Sequence, residues 1–489
     1  MSKILRPAPL SRRLFLQRSA LLAAGAALPS SLLAACGDSS SSSSAPLIVD
    51  PNIPFWLQGN FGPVHDEVTA FDLPVRGRIP SELNGLYVRN GSNPQNTDSP
   101  HWFFGDGMIH GVKLESGKAA WYRNRYVQTP LYEKGIGFSD GPGLPIGGNH
   151  QSNVSCVYHG GRLLLSGEVG APYEIDPSDL STIGVQQFDG KLNTSFTAHP
   201  KIDPVTGNLH FFGYWFLEPY LTYHVADPQG NIIHSTQIPV AASTMIHSFA
   251  ITERDVIFWE LPVLFDLAAA AGGADNPFAW KPEYGARIGV LPLGGDGSQI
   301  RWVEIEPCYV YHEVNAYRAG AEIVLDVCRH DFMFAGERFG EAPLAVHRWH
   351  IDTSGEQLSL RDEVVSEREL ELPTHDRRIS GRPHRYGWFV DSQEHPLTLN
   401  FVGTGMIDFQ TGDVRVWNPG PTRHAAEAFF VPGGPGEGEG WLFTYVYDHA
   451  KDSSDLVILD ALDVEAGPVA EIRMPRRVPY GFHAVWVPA

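Results

Sequence analysis

Short apolar runs of strand length recur along almost the whole chain, each bounded by turn residues. LNGLYVRNG, AAWYRNRYV, GRLLLSGEV, NLHFFGYWF, DVIFWEL, EIVLDVC, LAVHRWHID, LTLNFVGTG, GWLFTYVYD and DLVILDAL are of this kind. They are rich in β-branched and aromatic residues, and glycine, proline, asparagine and aspartate fall between them. Long helical periodicity is nearly absent. Many short strands with regular turns predict a sandwich, a barrel or a propeller. A chain of 489 residues with no internal linker is too long for one sandwich and suits a propeller.

The stretch Thr194 to Tyr214, TSFTAHPKIDPVTGNLHFFGY, reads as a β-hairpin. His199 opens it, Asp203-Pro204 and Gly207-Asn208 make the turn, and Leu209 to Tyr214 return. That places His199 at the rim of a sheet, where strands end. His247 in MIHSFAIT, His312 in YHEVNAY and His483 in PYGFHAVW are flanked in the same way by apolar or aromatic residues. Four imidazoles around one ion suit a borderline divalent metal such as iron, copper or zinc. A propeller could bring them together, because its innermost strands all end near one axis. A closed four-histidine zinc site is the competing structural reading of the same residues.

The first 35 residues break the strand pattern. They hold no acid and five bases, Lys3, Arg6, Arg12, Arg13 and Arg18. Ser11-Arg12-Arg13-Leu14-Phe15-Leu16 is a twin-arginine pattern, and the apolar run Ser19 to Ala35 follows. Gly25 and Pro29 interrupt that run, so it suits a signal segment better than a membrane span. Leu33-Ala34-Ala35-Cys36-Gly37 looks like a lipobox. Residues 1–35 are therefore expected to be a twin-arginine signal ending before a lipid-modified Cys36. The serine run Ser39 to Ser44 makes residues 36–50 a polar tether, and residues 51–489 form the propeller domain. The expected location is periplasmic or cell-envelope, anchored by lipid. Export of a folded protein fits one that collects its metal in the cytoplasm.

Composition narrows the partners. The chain carries 36 Lys and Arg against 56 Asp and Glu; without the five bases of the signal segment the balance is 31 − 56 = −25. Nucleic acid is excluded as a partner on this basis, since phosphate binding needs basic surface. Cys156, Cys308 and Cys328 remain beside Cys36, an odd number without CxxC spacing. They read as buried small hydrophobes, with room for one pair in an oxidising periplasm.

AHPKIDP, MIHSFAIT, HEVNAY and the terminal VPYGFHAVWVP stand in order along the chain. They resemble the four histidine motifs of the carotenoid cleavage oxygenases, a family that includes apocarotenoid oxygenases, lignostilbene dioxygenases and a retinoid isomerase. The resemblance spans roughly residues 50–489. It implies a seven-bladed all-β propeller with loop and helix insertions forming a lid over its top face. It implies Fe(II) held by His199, His247, His312 and His483, and O2-dependent scission of a C=C bond into two carbonyl products. Glu168, Glu371 and Glu427 match the family's carboxylates that orient three of the histidines, leaving His199 without one. Which glutamate serves which histidine is not legible here. Two positions depart from the pattern: Ser248 after His247, where the family often has Asp, and Arg318 after the NAY triplet, where an acid is common.

The substrate implied is a carotenoid or apocarotenoid, with O2 as co-substrate and membrane contact through the lipid anchor and the lid. A lignostilbene-type substrate is the alternative; that subgroup engages a phenol with a Tyr and a Lys, and Tyr132 and Lys134 lie in the right region without matching by motif. A non-catalytic carotenoid-binding lipoprotein, an isomerase and a hydrolase are the other readings. Leu264 to Ala274, within VLFDLAAAAGGADNPFAW, is the clearest lid candidate. Phe332, Met333 and Phe334 are a second apolar cluster suited to a tunnel wall. FFGDGMIHG lacks the spacing of a phosphate loop, and its His110 reads as structural.

Overall fold

Apolar runs that are buried on both faces and runs that alternate have different places in one architecture. In the computed structural model, which describes residues 50, 52–96, 99–137, 150–271, 276–335, 342–394 and 399–489, the strands pair as seven antiparallel sheets arranged as the blades of a propeller, with one further two-stranded hairpin. The signal segment, Cys36 and the serine run lie outside the described residues.

Blades 2 to 6 are four-stranded and sequential, covering Ser155–Val185, Lys201–Gln237, Ala250–Ile305, Tyr309–Ser366 and Leu370–Trp417. Blades 1 and 7 interlock the two ends of the domain. Ala484–Pro488 joins blade 1 as the strand beside Gly85–Ser92. Val75–Gly77, from near the start, forms the far edge of blade 7 beside Pro468–Arg473. Closing the ring with strands from both ends hides the edges that an open sheet would expose.

Blade 3 shows why the sequence folds this way. Its two middle strands, Leu209–Tyr214 and Leu221–Ala226, are buried at every position. They are sandwiched between neighbouring blades and so carry continuous apolar runs. Its outermost strand, Ile232–Gln237, alternates between half-buried and exposed, as a strand with one wet face should. The hairpin has the expected form. Lys201–Ile202 pairs with Leu209 and His210, the turn is closed by the Gly207 amide donating to the Asp203 carbonyl at 2.8 Å, and Gly207 sits at φ +70°, where a side chain would be strained.

Helix is scarce. Leu267–Ala271 is a short helix carried on the hairpin of Val263–Phe265 and Phe278–Trp280. It lies within the Leu264 to Ala274 insertion, of which residues 272–274 lie outside the described residues. Pro130–Lys134, capped by the Thr129 side chain, is another. Cys156, Cys308 and Cys328 are buried and unpaired.

Candidate metal centre

The four histidines converge from four blades. His199 precedes the first strand of blade 3, His247 that of blade 4, and His483 immediately precedes Ala484–Pro488 of blade 1; His312 lies inside the first strand of blade 5. One ligating nitrogen from each lies within 4.8 Å of all the others.

Irregularities in the innermost strands aim these groups. Val310 pairs with Arg329 and Glu313 with Val327, so the His312 side carries one residue more than its partner, and the bulge turns the imidazole towards the axis. The same excess occurs in blade 6 between Glu371 and Thr374, where Leu372 takes φ +50°. In blade 7, Ala425 pairs with Val446 and Phe429 with Phe443, and Glu427 sits in the extra length. Glu168 itself holds φ +55°. Such backbone costs energy and persists where the surroundings over-determine it. Close packing fixes the approach to His483 too: a Cβ on Gly481 would meet the Asn90 carbonyl oxygen at 2.6 Å and Arg89 Cζ at 2.9 Å.

Each of three histidines donates from Nδ1 to a carboxylate at 2.7 Å. His247 pairs with Glu168, His312 with Glu371 and His483 with Glu427. No carboxylate is paired with His199 among the described residues. A carboxylate only accepts, so the proton sits on Nδ1 and the Nε2 lone pair is left free. The inward nitrogens behave accordingly. His199 Nε2 and His247 Nε2 lie 2.9 Å apart, and His312 Nε2 is buried without a hydrogen-bond partner. Burial and the three neighbouring imidazoles hold His199 well below the usual histidine range. Burial takes His312 down to about 4, against the pull of Glu371. Burial would raise Glu371, but His312 and His330 outweigh it and hold the carboxyl well below its usual range. Four neutral imidazole donors converging on one point, three of them buttressed, fit a borderline divalent cation and leave coordination positions for other ligands.

The residues after the histidines form a latch. Lys201 pairs with Glu313, Ser248 donates to Glu313 at 2.7 Å, and Lys201 reaches Ser248 at 3.4 Å. Ser248 thus has a defined partner. Arg318 forms a two-pronged pair with Asp255, both contacts at 2.7 Å.

A cavity of about 350 Å³ meets the cluster, with His247, His312 and His483 in its wall. The rest of the wall is mainly aromatic and apolar, including Trp102, Phe216, Phe278 and Phe401. Met333, Phe334 and Phe265 line it, whereas Phe332 does not. Among the described lining residues there is no lysine or arginine. Tyr132 stacks on Tyr126 instead, and neither it nor Lys134 reaches the cavity wall. His110 lies away from the cluster, bonded through Nδ1 to the Tyr122 hydroxyl at 2.9 Å.

Sequence reasoning missed His330 and Tyr214, both in the cavity wall: His330 Nε2 lies 3.2 Å from Glu371, and burial with the nearby Glu168 carboxylate pushes the Tyr214 phenol up. The only signal for His330 was strand alternation, which puts it on one face with Val324, Asp326 and Cys328.

The family model described as retinal pigment epithelial membrane protein matches residues 61–488. A carotenoid cleavage oxygenase of Mycobacterium tuberculosis is 37% identical over 499 residues, covering 88% of this chain and 97% of that protein. An isoeugenol monooxygenase of Pseudomonas nitroreducens is 34% identical over 468 residues, covering 88% and 98%. The crystal structure of Pseudomonas brassicacearum lignostilbene dioxygenase matches with a TM-score of 0.83 at 27% identity, over 90% of this chain and 100% of that one. With nearly the whole domain matched by the family model, and relatives above 30% identity matched almost end to end, the chain belongs to the carotenoid cleavage oxygenase family.

Proposed function

We propose that the protein is an Fe(II) dioxygenase that cleaves one C=C bond of a carotenoid or apocarotenoid with O2, giving two carbonyl products. The observation that carries the reading is the convergence of four imidazole nitrogens within 4.8 Å on the wall of an apolar cavity. His199, His247, His312 and His483 would hold the metal, and Glu168, Glu371 and Glu427 would keep three of them aimed. Bound Fe(II) supplies the redox-active centre and open positions that O2 chemistry requires. The chain's own part is positioning: the aromatic wall takes an extended apolar substrate and excludes water, and depth in the cavity selects the bond. No acid, base and nucleophile set suited to hydrolysis is evident around the cavity among the described residues. The absence of a basic side chain from the described wall favours a polyene over a phenolic stilbene, since a phenol site of the family's stilbene type uses a lysine.

Cleavage should stop without O2 and resume on its readmission. With labelled O2, and aldehydes analysed before exchange with water, both fragments should carry label. Label in one fragment only would indicate a monooxygenase, and undiminished anaerobic turnover would sink the oxygenase reading. A panel of polyenes and stilbenes, with products identified by mass, decides the substrate class.

The twin-arginine pair and Cys36 support an exported, lipid-anchored protein whose apolar insertion around Leu267–Ala271 faces the membrane. Arg12→Lys with Arg13→Lys should leave unprocessed protein in the cytoplasm. Lipid label persisting on Cys36→Ala would refute the anchor.

A further inference from the structure

The three carboxylates beneath the histidines are not held alike. Each gives one oxygen to its histidine at 2.7 Å, and they differ in what fixes the rest of the group. Glu168 lies near the Tyr214 phenol, which burial and this carboxylate together push up. The second oxygen of Glu427, Oε2, is buried with no partner among the described residues. Glu371 is clamped on both oxygens. Oε2 takes His312 Nδ1 and the backbone amide of Leu372, and Oε1 lies 3.2 Å from His330 Nε2.

His330 belongs to the same blade as His312. It ends the strand Glu322–His330, which is the immediate neighbour of the strand carrying His312, while Glu371 comes from the next blade. One blade therefore grips the carboxylate of its neighbour with two imidazoles. Tyr311, next to His312 in the chain, meets both His247 and His330 edge-on, at 5.1 and 5.8 Å between centroids.

Two physical points argue that this grip matters. The segment carrying Glu371 is bulged, and its neighbour Leu372 sits at φ +50°, so the regular ladder does not fix the direction of the carboxylate. A second hydrogen bond supplies the missing constraint, because a carboxylate held at one oxygen can still swing about its last bonds. His330 is also a costly residue for its place. It is buried in a mainly apolar wall, and its Nδ1 has no hydrogen-bond partner among the described residues. A phenylalanine would line the cavity without that penalty.

We infer that His330 is a positioning residue of the metal centre: by donating from Nε2 to Glu371 it fixes the carboxylate that aims His312. This rests on the four histidines binding a divalent metal, and the test separates the two ideas. Because Glu371 only accepts, Nε2 carries the His330 proton, so an amide donor at the same place could replace it while an aromatic hydrocarbon could not.

The test is Co(II) titration of the full chain freed of metal, read by the ligand-field absorption of the ion and without reference to turnover. His330→Phe should weaken Co(II) binding by roughly 10-fold and shift the absorption band, in line with the roughly 10–100-fold cost of losing an outer hydrogen-bond partner. His330→Gln should recover most of that loss. On a Glu371→Gln background, His330→Phe should add less than about 2-fold, since the two residues act through one contact. Wild-type Co(II) affinity in His330→Phe, or an equal loss in both backgrounds, would overturn the inference. Should His330→Phe fail to fold, His330→Leu carries the same comparison. A wild-type chain that binds no Co(II) would sink the metal reading itself, and this inference with it.

Discussion

His199 and His224 belong to one blade, and both are buried below their usual range by desolvation. Their surroundings make them opposites. His224, in the middle strand Leu221–Ala226, has both ring nitrogens engaged, Nε2 with the Thr194 hydroxyl at 2.9 Å and Nδ1 with the Ser235 hydroxyl at 2.7 Å, and its ring stacks on Phe211. Its hydrogen-bonding capacity is used up, so it is a structural part. His199, at the inner end of the blade, faces three other imidazoles with a nitrogen that no hydroxyl or carboxylate claims. The lesson is positional. In the middle of the blade His224 is satisfied locally, whereas the inner rim leaves lone pairs converging and spends backbone regularity, in bulges and positive φ, to do so.

The sharpest way to break that contrast is to exchange alanine for histidine on both sides of it. Replacing any one of His199, His247, His312 or His483 by Ala should remove most of the metal, about one ion per chain, and cut activity by more than about 100-fold, beyond the loss typical of outer partners. The fold should survive, because these side chains pack little apolar core. His224→Ala should do the reverse: metal per folded chain stays the same, while stability falls by about 1–3 kcal/mol as the buried ring and its hydrogen bonds to the half-buried Thr194 and the exposed Ser235 hydroxyls are lost. Metal analysis and denaturant unfolding of the five variants decide it. His110→Ala losing metal while one of the four keeps it would mean that the ligand set is wrong.

A finer division lies within the rim. Glu168→Gln, Glu371→Gln and Glu427→Gln should each weaken metal binding or activity by roughly 10–100-fold with the fold retained. The loss should be smallest where another group still steadies the site. Glu427, whose second oxygen is unpartnered, has no such support, so Glu427→Gln should cost most. Equal metal affinity in all three variants and the wild type would show that these carboxylates do not orient the histidines.

How far the sequence announces this depends on how local each feature is. The hairpin at Lys201–Tyr214 is legible because Asp203-Pro204 and Gly207-Asn208 are turn chemistry within a few residues. The four histidines stand out because each sits in its own short motif. The pairing of Glu168, Glu371 and Glu427 with particular histidines is invisible, since it depends on which blades are neighbours and on bulges that shift the register by one residue. His330 leaves no motif at all; only the approach of blade 6 to blade 5 gives it a partner. Closure by Ala484–Pro488 and Val75–Gly77 is a long-range pairing between chain ends that no window of sequence contains. Tyr132 and Lys134, which match no motif, lie outside the cavity wall in the fold.

The histidines of the middle strands offer a last, smaller test, through pH. Burial pushes both His210 and His224 down to about 4. For His210, Asp203 pulls the other way without prevailing, and its Nδ1 is bonded to the Tyr223 hydroxyl at 2.6 Å. For His224 the neighbouring His234 adds to the depression, and the facing Thr194 and Ser235 carry no charge. Unfolded, each would titrate near 6.5. A folded value below the unfolded one means that the unfolded state binds the proton first as pH falls. The stability contribution is therefore complete above about pH 6.5 and is lost progressively down to about pH 4. The slope is about 1.4 kcal/mol per pH unit for each such histidine within that window. His224→Gln keeps a hydrogen-bonding amide but cannot titrate. Its stability relative to wild type should improve by about 1.4 kcal/mol on going from pH 7 to pH 5.5, read as the change in urea midpoint difference between the two proteins. Taking the difference cancels the other groups that titrate in the same range, including those at the metal centre. If the midpoint difference is the same at both pH values, His224 takes up its proton in the folded blade as readily as in the unfolded chain, and the middle of the blade is not the closed, locally satisfied region that the contrast with the rim requires.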